Sequence, residues 1–216
     1  MTDAASVRVG RLILWPAVVT LAVTLLRIVG ELQGWSPRLF SREAGGGGAL
    51  VGIAWLVPVF GAWFGWKLAR AGERVASVGR ALGTVILAFA AMPVAGFVLS
   101  KLGVSPFSPA TLVGYAVVSV LALLAALRAW PALGRTILAY ALAARIPVAL
   151  VMLVAILANW GTHYDVMPPN VPEMTPALYK WFMIGLLPQM TIWLWFTVVV
   201  GGLFGIAAGA IASRGR

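Results

Sequence analysis

The stretch that decides the fold is Thr136–Ala158, TILAYALAARIPVALVMLVAILA, in which Arg145 is the only charged residue. A helix needs about 20 mostly apolar residues to cross a hydrocarbon core about 30 Å thick, and this stretch is long enough. Five further stretches share its length and apolar character: Leu12–Gly30, Ala49–Trp66, Ala81–Ser100, Ala110–Leu127 and Met183–Ala212. The sequence therefore predicts an all-α, polytopic membrane bundle of about six transmembrane helices.

Composition supports a membrane protein made of one integral domain over residues 1–216. Hydrophobic residues make up 62% of the chain and charged residues 10%, against about 45–50% and 25% in soluble domains. The longest polar intervals, Glu31–Gly48 and Asn159–Phe182, are too short to fold around a core of their own. The chain has no cysteine, which excludes disulfides, thiolate metal sites and cysteine catalysis.

The net charge of +10 is distributed unevenly between alternate polar intervals. Most basic residues lie in the terminal segments and in Lys67–Arg80 and Arg128–Arg135, whereas the other intervals hold only Arg38, Arg42, Lys101 and Lys180. By the positive-inside rule, both termini are predicted to be cytoplasmic. We expect a prokaryotic cytoplasmic (inner or plasma) membrane, with anionic lipid headgroups as partners of the basic face. Nucleic acid is not an expected partner, because no aromatic platform accompanies these residues.

Internal similarity suggests repeated helical hairpins. The segment Ala81–Ala90, ALGTVILAFA, matches Ala132–Ala141, ALGRTILAYA, and both are followed by Pro-Val-Ala, at Pro93–Ala95 and Pro147–Ala149. Duplication explains these matches, and chance similarity between apolar sequences is the alternative.

Prolines and glycines interrupt the predicted spans. Prolines occur in five of the six: Pro16, Pro58, Pro93, Pro147 and Pro188. Each is expected to remove a helical hydrogen bond and act as a static kink, or alternatively as a hinge in a transporter. The glycines form G-x-x-x-G faces, which predict close helix packing within the chain or, alternatively, self-association. These glycines are Gly61 and Gly65 in the second span and Gly201, Gly205 and Gly209 in the sixth.

Arg145 is the strongest candidate for a functional residue. It lies nine residues after Thr136, about 13 Å along a helix, and a central arginine costs about 2.5–3.5 kcal/mol on insertion scales. No acidic residue lies inside the predicted spans. Arg145 is therefore expected either to bond carbonyls and hydroxyls such as that of Tyr140, or to face a hydrated cavity that admits an anion.

Two further polar residues complete the candidate substrate-binding set. Arg27 lies one turn from the outer end of the first span, and it is expected to pair with Glu31 at i+4 or to extend to the interface. Gln189 follows Pro188 in the sixth span and either lines a pocket beneath the loop 159–182 or bonds a neighbouring helix.

Enzymatic and cofactor functions find little support. His163, Asp165 and Glu173 share one loop, but their spacing is not that of a metal site, and we expect no metal and no cofactor. The single histidine excludes bis-histidine haem ligation. Hydrolase, metalloprotease and phosphate-loop motifs are not found, so we do not expect an enzyme. We recognise no protein family in these patterns.

Two functions remain open. The first is a transporter or channel for a small solute, with an anion suggested by Arg145. The second is a non-catalytic accessory subunit or scaffold that binds partner membrane subunits. The small size of the chain makes a homo-oligomer an expected partner in the first case.

The charge asymmetry predicts the membrane topology. A cysteine introduced at Gly72 should be shielded from an impermeant thiol reagent in intact cells, because the basic loop around it should stay in the cytoplasm. A cysteine at Asn170 should be labelled. Labelling at Gly72 from outside would contradict the topology with both termini inside.

Overall fold

The regular structure of the described residues is entirely helical. A computed structural model describes residues 8–105, 108–169 and 171–214. Besides a 3-10 turn at Ala44–Gly46, these residues form six helices: α1 Val9–Leu32, α2 Leu56–Arg70, α3 Val78–Lys101, α4 Pro109–Ala129, α5 Pro131–Ala158 and α6 Ala177–Arg214. The polar start of the chain and Asn170, both used in the topology prediction, lie outside the described residues.

The predicted all-α, multi-pass class is confirmed. Five of the helices are long and apolar enough to cross a membrane: α1, α3, α4, α5 and α6. For α4, the candidate span begins at Ala110. The other, α2, has 15 residues, which is about 22 Å of helix and less than a hydrocarbon core requires.

The predicted boundary of the second span, Ala49–Trp66, is wrong at its start. Residues 49–55 form turns, and the amides of Leu50 and Val51 donate to the carbonyls of Arg38 and Leu39 at 3.1 and 3.0 Å. Pro58 lies in the first turn of α2, where a helical amide has no partner inside the helix. It therefore marks the beginning of this helix and does not kink it.

Trp130 is a buried tryptophan between two consecutive helices. It separates α4 from α5 and is 3% exposed. Its ring packs on Gly209, where a Cβ would lie 2.6 Å from the indole. The glycine of α6 thus makes room for the buried tryptophan ring.

The chain divides into two compact units. The first comprises Met1–Pro16, Leu56–Leu142 and Thr191–Arg216, and the second comprises Ala17–Trp55 and Ala143–Met190. Long helices therefore contribute different parts of their length to different units.

The first unit is organised by contact between the glycine faces of α2 and α6. A Cβ on Gly61 would overlap the backbone of Gly201, and a Cβ on Gly65 would overlap that of Gly205. The two backbones therefore touch directly, as the small-residue spacing allows.

Aromatic side chains complete the first unit. Tyr140 packs edge-on against Phe60 and Phe64, with ring centroids 5.6 and 5.5 Å apart. The indole N–H of Trp195 donates to the carbonyl of Ala88 at 3.0 Å. This bond satisfies a buried donor and ties α6 to α3.

The second unit has its own apolar core, formed by Ile28, Val148, Met152, Ala155 and Tyr164. The loop after α1 turns back onto that helix. There the ring of Phe40 lies against Gly30, where a Cβ would overlap it.

The first half of α6 departs from α-helical geometry. Trp181–Leu186 and Gln189–Trp193 are π-helical and lie on either side of Pro188. Proline has no amide hydrogen to donate, so the helical hydrogen-bond pattern must change around it. In the second unit, the Trp181 indole N–H donates to the carbonyl of Ala149 at 2.7 Å, which ties this segment to α5.

The glycine contact predicts the effect of a small substitution. Gly65→Ala should lower the free energy of unfolding by about 1–3 kcal/mol, because its methyl group would force the α2 and α6 backbones apart. The control is Gly83→Ala in α3, where a Cβ meets no atom within 4 Å. That change should be neutral or stabilising by up to about 1 kcal/mol. Unfolding in detergent measures both, and equal stability of the two variants would refute the close contact.

Candidate functional site

A buried carboxylate lies at the carboxyl end of α1. The side chain of Glu31 is 0% exposed and lies one residue before the last of the helix. An ionised carboxylate in such a place is costly unless positive charge and hydrogen-bond donors surround it. The structure supplies both.

Arg27 provides the charge. Its Nε donates to Glu31 Oε1 at 2.7 Å, so the predicted i,i+4 pair is confirmed. Its Nη2 also donates to the carbonyls of Ser41 and Gly46 at 3.1 and 3.2 Å. Arg27 thereby fastens the loop after α1 to the helix through the carbonyls of Ser41 and Gly46.

His163 provides further donors from the loop after α5. Its backbone N–H donates to Glu31 Oε2 at 2.9 Å, and its Nδ1 lies 2.5 Å from Glu31 Oε1. Because the Arg27 pairing favours an ionised Glu31, which can only accept, Nδ1 carries the proton. We call Arg27, Glu31, Ser41, Gly46 and His163 the Glu31 cluster.

The backbone of Gly46 allows the cluster to close. Its φ is +74°, and a Cβ there would lie 3.0 Å from His163 Cδ2. A left-handed glycine is therefore needed for both conformation and space. Arg42 adds a further bond from its Nε to the backbone carbonyl of Glu31 at 2.8 Å.

Burial determines the protonation of His163 and Tyr164 in the loop after α5. Burial lowers the pKa of His163 below its ordinary value of 6.5, and the positive charge of Arg27 lowers this pKa further. The hydrogen bond to Glu31 and the negative charges of Glu31 and Asp165 raise the pKa and offset part of this shift. The imidazole is thus held neutral, with one positive and one negative charge in the cluster. Burial also raises the pKa of Tyr164. The ring centroids of Tyr164 and His163 are 3.7 Å apart.

The acidic residues near His163 in sequence have separate roles. Asp165 accepts from the amides of Gly161 and Thr162 at 2.8 and 2.7 Å and from the Thr162 hydroxyl at 2.7 Å, which closes a tight turn. Glu173 pairs with Lys180 at 2.5 Å. In the described part of the chain, no group of three or more His, Asp or Glu is arranged to hold a metal ion.

The remaining predicted site residues are distributed over both units. Tyr140 belongs to the first unit, where its ring packs in the aromatic core. Arg145 and Gln189 belong to the second, and both are buried. Arg145 is 3% exposed and interacts with neighbouring groups.

Gln189 is unusual among these residues. Its Nε2 lies 3.8 Å from Met152 Sδ, which is a weak acceptor. Its Oε1 is buried and accepts no hydrogen bond from any described residue. An unsatisfied buried acceptor costs about 1–3 kcal/mol, so its retention requires an explanation.

The sequence predicts the pair of Arg27 and Glu31 but does not indicate His163 as a further partner of Glu31. The two residues lie 132 positions apart. A signal was available in composition, because the chain has six acidic residues and one histidine. Such scarce groups beside apolar spans are more often paired than solvated.

Comparison with known proteins leaves the family open. No protein-family model matches the chain, and neither the curated proteins nor the solved structures include a significant match.

The Glu31 cluster predicts a pH dependence of stability. Since the folded-state pKa of His163 lies below 6.5, the unfolded state binds the proton first, and stability is lost as the pH falls below about 6.5. The thermal unfolding midpoint should therefore drop between about pH 7.5 and pH 5.5. In His163→Asn, which lacks the only imidazole of the chain, this part of the decline should disappear. An identical decline in both proteins would show that His163 does not titrate in this way.

Proposed function

We propose that this multi-pass membrane protein moves a small solute across the bilayer, with an anion favoured, by way of polar groups in its second unit. The observation that carries the proposal is the buried Gln189 Oε1, which has no donor among the described residues. A hydroxyl or amide group of a passing solute, or a water molecule bound to that solute, would donate a hydrogen bond to Oε1. Such a hydrogen bond is electrostatically stronger inside the protein than in water.

The position of Gln189 supports a functional role. It begins a π-helical segment directly after Pro188. π-Helical turns are rare and occur frequently at functional sites, because they change the direction of side chains at some cost in helical bonding.

Arg145 supplies positive charge in the same unit. It lies 14 residues after Pro131 in the 28-residue helix α5, and its burial requires compensation by polar groups, water or an anion. Met152, which contacts Gln189, follows Arg145 by seven residues and so shares its face of α5, about 10 Å away. One side of α5 thus carries both the guanidinium and the residue that touches the unsatisfied amide.

Prolines lie near the points where long helices pass from one compact unit to the other. Pro16 ends one segment of the first unit, and Pro188 lies two residues before the end of the second at Met190. Pro147 has no amide hydrogen to donate to the carbonyl of Ala143, the first residue of its segment. Weakened helical bonding at these places supports changes in helix bend during transport.

Transport can be tested with purified protein in liposomes loaded with inorganic phosphate, bicarbonate or lactate, three anions that each carry a hydroxyl able to donate to Gln189 Oε1. We expect saturable flux of at least one of these anions above that of protein-free vesicles. Gln189→Leu should lower that flux about tenfold or more, while its unfolding free energy stays equal or rises, because an unsatisfied polar group has been removed. Arg145→Lys should weaken anion transport more than stability, since it keeps the charge but loses the planar fork.

The matched control is Gln33→Leu, which changes an exposed glutamine just beyond α1 and should leave flux unchanged. Lack of saturable flux for all three anions would refute the proposal. So would a Gln189→Leu protein that transports normally, since the amide would then have no part in transport.

The alternative is an accessory subunit that binds partner membrane proteins. The observation that favours it over transport concerns Arg27, a predicted substrate-binding residue. Its guanidinium donates to Glu31 and to the carbonyls of Ser41 and Gly46, so it needs no solute to compensate its charge. Co-purification of a defined membrane partner in stoichiometric amount, together with lack of anion flux, would support this function.

A further inference from the structure

The first unit carries an apolar groove on its surface. The groove has a volume of about 250 Å³ and is lined by Trp15 and Pro16 of α1 and by Val59, Phe60 and Trp63 of α2. Trp15 is 71% exposed and Val59 52% exposed. In a membrane these surfaces meet lipid, so the groove is open to hydrocarbon chains.

Two exposed cations lie at one end of this groove. Lys67 Nζ is 5.9 Å from the ring centroid of Trp63, which lines the groove, and 5.5 Å from that of Trp66. Arg70 Cζ is 5.2 Å from the ring centroid of Trp66. Cation–π contacts of this length hold both side chains near the tryptophans.

The spacing along α2 orders these features. Val59, Trp63 and Lys67 are four residues apart and so share one face of the helix. The distance along the helix axis from Val59 to Lys67 is about 12 Å. An apolar surface of this length is thus followed by positive charge, with a tryptophan at the transition, as is typical of a membrane–water interface.

We propose that this groove and its two cations bind one molecule of an anionic phospholipid. An acyl chain occupies the groove between α1 and α2, and the headgroup phosphate lies at Lys67 and Arg70. The phosphate accepts hydrogen bonds from the ammonium and guanidinium groups, while their other faces remain on the indole rings. This inference is independent of the transport proposal.

Charge and shape favour a lipid over other occupants. A second copy of this chain would bring another net charge of +10 toward Lys67 and Arg70, which like-charge repulsion disfavours. A free inorganic anion would find the cations but would leave the apolar groove unfilled. An anionic phospholipid matches both parts, and anionic lipid is abundant in the leaflet on the predicted cytoplasmic side.

Native mass spectrometry of the intact protein in detergent tests the proposal, with phosphatidylglycerol and phosphatidylcholine of the same chain length as probes. We expect phosphatidylglycerol to bind in a one-to-one complex at least fivefold more tightly than phosphatidylcholine. Lys67→Ala and Arg70→Ala should each weaken phosphatidylglycerol binding about fivefold, and the double variant about twentyfold. Both side chains are exposed, so folding should be retained.

Two further variants separate the parts of the site. Val59→Trp should fill the groove from its exposed edge and weaken both lipids, whereas Arg128→Ala, an exposed cation at the end of α4, should change neither. Equal binding of the two lipids, or undiminished phosphatidylglycerol binding in the double variant, would overturn the proposal. Unchanged binding in Val59→Trp would also overturn it, by showing that the groove takes no acyl chain.

Discussion

Direct contact between the backbones of α2 and α6 is the constraint on which the first unit depends. In a bilayer, burial of apolar side chains gives little net drive for helix association, so packing must come from close approach. Gly61 and Gly65 give that approach against Gly201 and Gly205. A helix of 15 residues has little surface, and glycines let it use its backbone for contact.

The same contact determines which face of α2 points away from α6. Gly61 and Gly65 lie on one side of the helix, whereas Val59 and Trp63, two residues away in each case, point about 200° around the axis. Once the glycine face is fixed on α6, the tryptophan face must point away from it. There it meets Trp15 and forms the apolar groove that ends at Lys67. The groove is thus a consequence of the glycine packing.

The sequence predicts the helical spans well because span length and apolar content are local properties. Contacts between residues that are distant in the sequence were not predicted from it. The amino-terminal part of the span Ala49–Trp66 forms turns because its amides bond the preceding loop, and Trp130 is buried because Gly209 leaves room for its ring. Likewise, the glycine spacing reveals a packing face but not its partner. The bond between Glu31 and His163 joins residues 132 positions apart, which no local pattern encodes.

The second unit contains both a buried polar group whose hydrogen bonds are satisfied, Glu31, and one with an unsatisfied acceptor, Gln189. Glu31 is fully compensated: Arg27 supplies charge, His163 supplies two donors, and its own backbone carbonyl accepts from Arg42. Removing any one of these would leave a charge or a dipole in a poorly solvated place, so the arrangement resists change.

Gln189 stands in contrast, because its Oε1 accepts no bond from the described residues and its Nε2 meets only a thioether. A leucine would fill that space at less cost, so packing alone does not account for an amide there. The Glu31 cluster holds two loops together, whereas we propose that Gln189 bonds a solute that binds and then leaves. We therefore place the proposed solute contact at Gln189 and not at the more highly charged groups around Glu31.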